Sequence, residues 1–270
     1  MPKAVITAVI AGFLLLSCLL PVKASEPLTV AAASDLRYAL DDIIALYRTE
    51  YPGSSLRVIY GSSGKISTQI RHGAPFDLFF SADIQFPEQL YAEGYAIHQP
   101  ELYAIGRIVL WSPRLNVADT PLEQLNTLHF RRLAIAQPAH APYGLRAKEA
   151  LQAVGLWQEL EAKLVYGENI AQTAQMAQSG AAEVAIIALS LARFPELARH
   201  GYQLIPAELH QPLTQAFVIT HHGANKASAH QFSAFMARDE VRAIMQHYGF
   251  ELPALQPSAR QALTLQEESP

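Results

Sequence analysis

The 270-residue sequence holds one cysteine, Cys18, and that cysteine sits in an apolar stretch near its start. A single cysteine closes no disulfide within the chain, so no cross-linked framework holds this fold. Charge is scarce as well. Lys, Arg, Asp and Glu make up 16% of the residues, against 50% that are hydrophobic, which is ample for a sizeable core. There is no basic surplus, since 20 Lys and Arg face 24 Asp and Glu. That balance argues against a nucleic-acid partner and against an anionic membrane surface. The sequence shows no internal repeat, no low-complexity tract and no second long apolar run.

The first 25 residues read as a signal peptide rather than as part of the fold. Lys3 precedes an apolar run from Ala4 to Leu20, and Pro21-Val22-Lys23-Ala24-Ser25 offers a cleavage site after Ala24 or Ser25. Two alternatives stay open: a membrane anchor, since the run is near the lower spanning length, and a lipoprotein box, Leu15-Leu16-Ser17-Cys18. Cleavage leaves about 245 residues without cysteine, hence without thiol chemistry. It also removes Lys3 and Lys23, leaving 18 basic residues against 24 acidic ones, a net charge of −6. An anionic ligand would then have to be held by local hydrogen-bond donors, not by long-range attraction.

Short apolar strands alternate with amphipathic helices. Leu28–Ala32 reads as a buried strand, and Leu36, Ala39, Leu40, Ile43 and Tyr47 mark a helix from Asp35 to Tyr51 that Pro52-Gly53 ends. Further strands are expected at Leu56–Tyr60, Asp77–Phe80, Ile105–Trp111, Leu133–Ala136, Val184–Ile187 and Ala216–Thr220. Helices are expected after Gly64 up to Gly73, through Leu90, and at Leu145–Val154, Ile170–Ser179, Ala229–Met236 and Val241–Tyr248. This rhythm predicts an α/β fold with mostly parallel sheets.

In such sheets ligands bind beyond the carboxyl ends of strands, where helix N-termini offer free N–H groups and a partial positive charge. Several strand-to-helix junctions carry suitable residues: Ser34 after the first strand, Ser62 and Ser63 after the second, Tyr143-Gly144, and Glu168-Asn169-Ile170. A serine in such a place is most often only a cap, but two on adjacent strands strengthen the reading of an anion site. Gly61-Ser62-Ser63-Gly64-Lys65 fails as a phosphate loop, because Ile59 and Ile66 stand where that motif needs Gly and Ser or Thr; Lys65 is expected to be solvated. No G-x-S-x-G elbow occurs. His221-His222 would project to opposite faces of a strand and chelate poorly. Asp77 and Asp83 are expected at a strand edge and a helix cap.

Four blocks resemble the periplasmic molybdate-binding proteins of ABC importers, the ModA family, and come in that family's order. They are Ala31-Ala32-Ala33-Ser34-Asp35-Leu36, Tyr60-Gly61-Ser62-Ser63-Gly64, the stretch from Gly73-Ala74-Pro75-Phe76 through Asp77-Leu78-Phe79-Phe80-Ser81-Ala82-Asp83, and Pro142-Tyr143-Gly144-Leu145 continuing to Leu151. The resemblance runs from about Leu28 to Phe250. It implies an α/β type II periplasmic binding protein fold: two α/β lobes, joined by two crossings, with a ligand cleft between them. Lobe 1 would comprise 26–107 plus 214–252, lobe 2 the inserted 108–213, and 253–270 a partly disordered tail.

The resemblance also implies molybdate or tungstate as ligand, no cofactor, and metal bound only as the oxyanion. The implied contacts are Ser34, Ser63, Tyr143 and the backbone N–H of Ile170, with Asp35, Ser62 and Ala188 as further positions. The side chain of Asp35 is expected to face away. One departure stands out: Ala188 lies where some members have a binding tyrosine, and Tyr143 lies where those members have alanine. The implied setting is the periplasm, as a monomer partnered by the membrane permease of a molybdate ABC importer. A protein for sulfate or another small oxyanion is the rival within the binding class; a secreted α/β hydrolase is the rival outside it, with no nucleophile–base arrangement to support it.

Overall fold

The computed structural model describes residues 27–253. The expected signal peptide, Cys18 within it, and the C-terminal stretch beyond Pro253 lie outside the described residues. Strands β1 (Leu28–Ala33), β2 (Leu56–Gly61) and β3 (Leu78–Ser81) are separated by helices α1 (Arg37–Glu50) and α2 (Ser63–Arg71), and Ser34–Leu36 forms a 3-10 turn ahead of α1. Helix α3 (Gln85–Ala92) leads to β4 (Glu101–Gly106) and β5 (Ile108–Trp111). Then come β6 (Leu133–Ala136), α4 (Pro142–Ala153), the short α5 (Trp157–Leu160), β7 (Leu164–Gly167), α6 (Ile170–Ser179) and β8 (Val184–Ala188). Two short helices, α7 (Leu189–Ala192) and α8 (Pro195–Ala198), precede β9 (Tyr202–Leu204) and β10 (Leu213–Ile219), and α9 (Ala227–Phe235) and α10 (Asp239–His247) follow.

The strands form two five-stranded sheets, in the orders β2-β1-β3-β10-β4 and β7-β6-β8-β5-β9. In the first, β1 pairs parallel with β2 and β3, while β10 runs antiparallel between β3 and β4. In the second, β6 pairs parallel with β7 and β8, while β5 runs antiparallel between β8 and β9. Each sheet thus has four strands in one direction and one reversed. The reversed strand is the one the chain enters on arriving from the other sheet: β4 passes into β5, and β9 into β10.

The stretch Ile105–Trp111, expected as one strand, is two strands in different sheets. β4 ends at Gly106, Arg107 carries the chain across, and β5 begins at Ile108. Glycine is needed at the crossing for room. A Cβ at Gly106 would lie 2.3 Å from the Tyr143 hydroxyl and 2.6 Å from Nε2 of Gln215.

Alternation along the strands of the first sheet divides its core into two layers. Val30, Ala32, Leu78, Phe80 and Phe217 pack with Leu40, Ile43 and Tyr47 of α1 and with Phe232 and Val241 of α9 and α10. Ala31, Phe79 and Val218 face the other way, onto Ile66 and Ile70 of α2 and Leu90 of α3. Both faces are covered, so β1 and β3 are buried along their whole length. At about 1.5–3 kcal/mol for each large apolar side chain removed from water, this burial is what holds the strand ends in place. The second sheet is covered in the same way, by a cluster that includes Ile108, Leu110, Ile135, Ile186, Leu151 and Ala174.

Candidate functional site

The carboxyl ends of β1 and β2 point toward the starts of α4 and α6 across the space between the sheets. A small cavity lies there, walled by Ala33, Ser34, Asp35, Gly61, Ser62, Ser63 and Ala82 from the first lobe and by Ala141, Pro142, Tyr143 and Ile170 from the second. Six of the residues named from the sequence therefore meet in one place: Ser34, Asp35, Ser62, Ser63, Tyr143 and Ile170. Ala188 does not join them. It ends β8, is fully buried, and sits opposite Ile108 in the register. A larger groove at the outer edge of the interface mixes Arg37 with Asp41, Asp42 and Glu196, a lining that suits no small anion.

Three helices open at the cavity: α2 at Ser63, α4 at Pro142 and α6 at Ile170. Their partial positive ends favour an anion. The α6 start is built locally. Asn169 caps it, its Oδ1 accepting the Gln172 N–H at 3.0 Å, and Gly180 ends the helix at a φ of 81° that other residues rarely adopt. No lysine or arginine is among the cavity walls. Ser63 Oγ accepts the Ala82 N–H at 3.0 Å, which leaves its own proton for the cavity. Ser62 Oγ lies 2.9 Å from Nδ1 of His140.

The lobes are already bonded to one another around this cavity. Ser34 Oγ donates to Oδ1 of Asn169 at 3.1 Å and accepts the Ala171 N–H at 3.2 Å. The Gly64 N–H donates to the His140 carbonyl at 3.0 Å, and Ser190 Oγ to the Asp35 carbonyl at 2.8 Å. Arg146 pairs with Asp83 at 3.1 Å, and Asp83, expected as a helix cap, stands one residue ahead of the N-cap Ile84 and accepts the Gln85 N–H at 2.9 Å. Lys65 is exposed, as expected, and also pairs with Glu168 across the interface, because closure brings the start of α2 against the loop before α6.

Asp35, expected to turn its side chain away from the ligand, holds it buried between the lobes. The 3-10 turn directs it inward, where it is 1% exposed and Oδ2 accepts from the Tyr143 hydroxyl at 2.9 Å and from Nε2 of Gln215 at 2.8 Å. Nε2 of Gln215 also lies 3.0 Å from the Tyr143 hydroxyl, and Oε1 of Gln215 accepts from Tyr103 at 2.7 Å. The other carboxylate oxygen, Oδ1, is buried with no hydrogen-bond partner. Burial pushes the Asp35 carboxyl up to about 6, against the pull of its bonds from Gln215 and Tyr143. Burial, then the neighbouring Asp35 charge, pushes the Tyr143 phenol well up. Sequence reasoning missed Gln215; its signal was a polar pair, Thr214-Gln215, between Leu213 and the apolar run Ala216-Phe217-Val218-Ile219 of β10.

The raised carboxyl makes stability depend on pH. A group held above its ordinary value of 3.8 contributes stability that is fully present below about pH 4 and is lost as pH rises to about 6. The full loss is on the order of 3 kcal/mol. Asp35→Asn cannot ionise, so its melting temperature is expected to gain on that of the parent protein between pH 4.5 and 7.5. Thermal melts at both pH values check this, and a difference that does not widen refutes it.

At the opposite end of the first sheet, Asp77 is fully buried beside His222, Nδ1 to Oδ1 2.6 Å, and Lys226, 3.0 Å. Of the histidine pair noted in the sequence, only His222 joins this cluster around the buried carboxylate. Among the described residues, no group of three or more His, Cys, Asp or Glu is placed to hold a metal ion.

Two lobes with a donor-lined cavity between them define a solute-binding architecture. The family model of bacterial extracellular solute-binding proteins matches residues 28–251, and the chain belongs to that family. It is 35% identical over 240 residues to the molybdate-binding protein ModA of Rhodobacter capsulatus, covering 88% of this chain and 92% of that one. It is 31% identical over 225 residues to the molybdate-binding protein ModA of Azotobacter vinelandii, covering 83% and 89%. The solved structure of the Azotobacter vinelandii periplasmic molybdate-binding protein superposes with a TM-score of 0.79 at 32% identity, covering 84% of this chain and all of that one.

Proposed function

We propose that this protein captures molybdate or tungstate in the periplasm, as a monomer freed of residues 1–25, and delivers it to the membrane permease of an ABC importer. The observation that carries the reading is the cavity's lining: serine hydroxyls and helix N-termini from both lobes, with no basic side chain. Molybdate and tungstate carry no proton at neutral pH and need donors only. Hydrogen bonds to a charged partner contribute roughly 1.5–3 kcal/mol each. Six or seven of them, on the order of 10–20 kcal/mol before entropy and desolvation, suffice for submicromolar affinity. Ser34, Ser63 and the Ile170 N–H are the assigned donors, with Tyr143 closing the cavity from the second lobe. In this reading Ser34 exchanges its bond to Asn169 for one to the ligand.

Native mass spectrometry of the mature protein with molybdate, tungstate and sulfate in turn tests the proposal; sulfate retained in preference to the other two overturns it. Ser34→Ala and Ser63→Ala are each expected to weaken molybdate binding by about 1.5–3 kcal/mol, roughly ten- to hundredfold. Ser62→Ala is expected to cost less, since its hydroxyl is engaged with His140. Calorimetry compares the three, and a Ser62 variant weaker than the Ser63 variant shifts the assignment by one residue.

A further inference from the structure

We propose that Asp35 and Tyr143 act as a proton switch: capture of the oxyanion takes up one proton on Asp35, and this turns the Tyr143 hydroxyl from the carboxylate to the ligand. The inference rests on the oxyanion reading above and concerns how the same cavity works.

A phenol has one proton to give. Here Tyr143 gives it to Oδ2 of Asp35, at 2.9 Å, while Gln215 Nε2 stands 2.8 Å from that oxygen and 3.0 Å from the phenol oxygen. With Asp35 ionised, the hydroxyl is therefore spent on the carboxylate. A dianion in the cavity would also face a negative wall, and Oδ1, buried without a donor, leaves part of that charge unanswered. Like charges brought together away from water repel strongly, and the weaker acid responds by taking a proton.

A proton bound to Oδ2 resolves both conflicts. The carboxylic acid then donates to the phenol oxygen. That oxygen keeps the Gln215 amide as a second donor and releases its own proton toward the ligand. The proton comes from solvent, one O–H bond forms on Asp35, and the total charge of carboxyl plus ligand falls from −3 to −2. Burial already pushes the carboxyl up to about 6, which lessens what the dianion must add.

The neighbours of Asp35 leave it as the group that titrates. Among the described residues, the phenols of Tyr143 on α4 and Tyr103 on β4 face it, both pushed well above their ordinary value. Gln215 on β10, Ser190 on α7 and Asn169 ahead of α6 are neutral. On α1, Arg37 and Asp41 line the outer groove instead.

Calorimetry of the mature protein with sodium molybdate, at about pH 7.5 in two buffers of different ionisation enthalpy, counts the protons. The expected result is close to one proton taken up per molybdate, with Kd rising by up to about tenfold for each pH unit above neutrality. Asp35→Asn is expected to take up none and to show a flat Kd profile between about pH 6.5 and 8.5. Molybdate bound by the parent protein without proton uptake, or uptake that persists in Asp35→Asn, overturns the switch and leaves the oxyanion reading standing. No molybdate bound at any pH overturns both.

Discussion

Gly144→Ala is expected to lower stability by about 3 kcal/mol or more and to abolish molybdate capture at ordinary concentrations. A Cβ at this position would lie 2.0 Å from the carbonyl oxygen of Ala136 and 2.5 Å from its carbon. Both atoms are backbone at the end of β6, a strand hydrogen-bonded on both sides in the second sheet, so they cannot give way. Helix α4 must move instead. Overpacking typically costs about 1–3 kcal/mol and occasionally more, and a contact of backbone on backbone belongs at the upper end. The displaced helix start carries Tyr143, so the second lobe's wall of the cavity moves with it. Urea unfolding and a molybdate titration check the two effects. Gly53→Ala, where nothing lies within 4 Å of the new Cβ, is the control and is expected to be near neutral. Parent-like stability in Gly144→Ala would contradict the close approach of α4 to β6.

Asp77→Ala is expected to cost about 3–5 kcal/mol of stability while leaving the affinity of the folded protein for molybdate unchanged. The carboxylate accepts the Thr29 N–H at 2.7 Å and binds His222 and Lys226, all where Asp77 itself is fully buried. Removing the buried carboxylate takes the acceptor from the Thr29 N–H and breaks the pairing of Lys226 with a fully buried partner, and the stated range is typical of breaking such a pair. The cluster lies at the start of β3, whereas the cavity lies beyond the strand's other end. Asp77→Asn keeps an acceptor for the Thr29 N–H and is expected to fall between the two. Denaturant midpoints give the stability order, and calorimetry on the folded variants gives the affinities. A loss of affinity equal to the loss of stability would show that the two ends of the strand are coupled.

How much of this was legible in the sequence depended on how local each cause was. Helix α6 could be read closely because its cap, Asn169, and its stop, Gly180, are its own neighbours in the chain. The strands β1 and β3 could be read because a strand covered on both faces is apolar throughout. The split between β4 and β5 could not. Ile105 and Ile108–Trp111 are apolar on both sides of Gly106-Arg107, and what separates the two strands is their pairing, β4 with β10 and β5 with β8 and β9, all far along the chain. Strands β7 and β9 are edge strands of only four and three residues and are partly exposed, too short to stand out in the sequence.

The site divides in the same way. Ser34, Ser63 and Ile170 stand at strand-to-helix junctions, so the topology marks them. The direction of Asp35 and the partner of Lys65 are set by residues more than a hundred positions away, Tyr143 and Glu168. Only closure of the lobes brings those together.

The exchange of reversed strands between the sheets has a consequence for the order of folding. β10 lies between β3 and β4, so the first sheet has a gap in its middle until the chain has been made as far as Ile219. The second sheet has no such gap, since β5 through β9 are consecutive. A growing chain can therefore complete the inserted lobe first, while β1 to β4 wait with open edges. Pairings so distant along the chain are closed late and at an entropic penalty, and they slow the final step. Refolding followed by pulse-labelled hydrogen exchange should protect Leu133–Ala136 and Val184–Ala188 before Leu28–Ala33. The lobe that is continuous in sequence would thus be the template on which the other is finished.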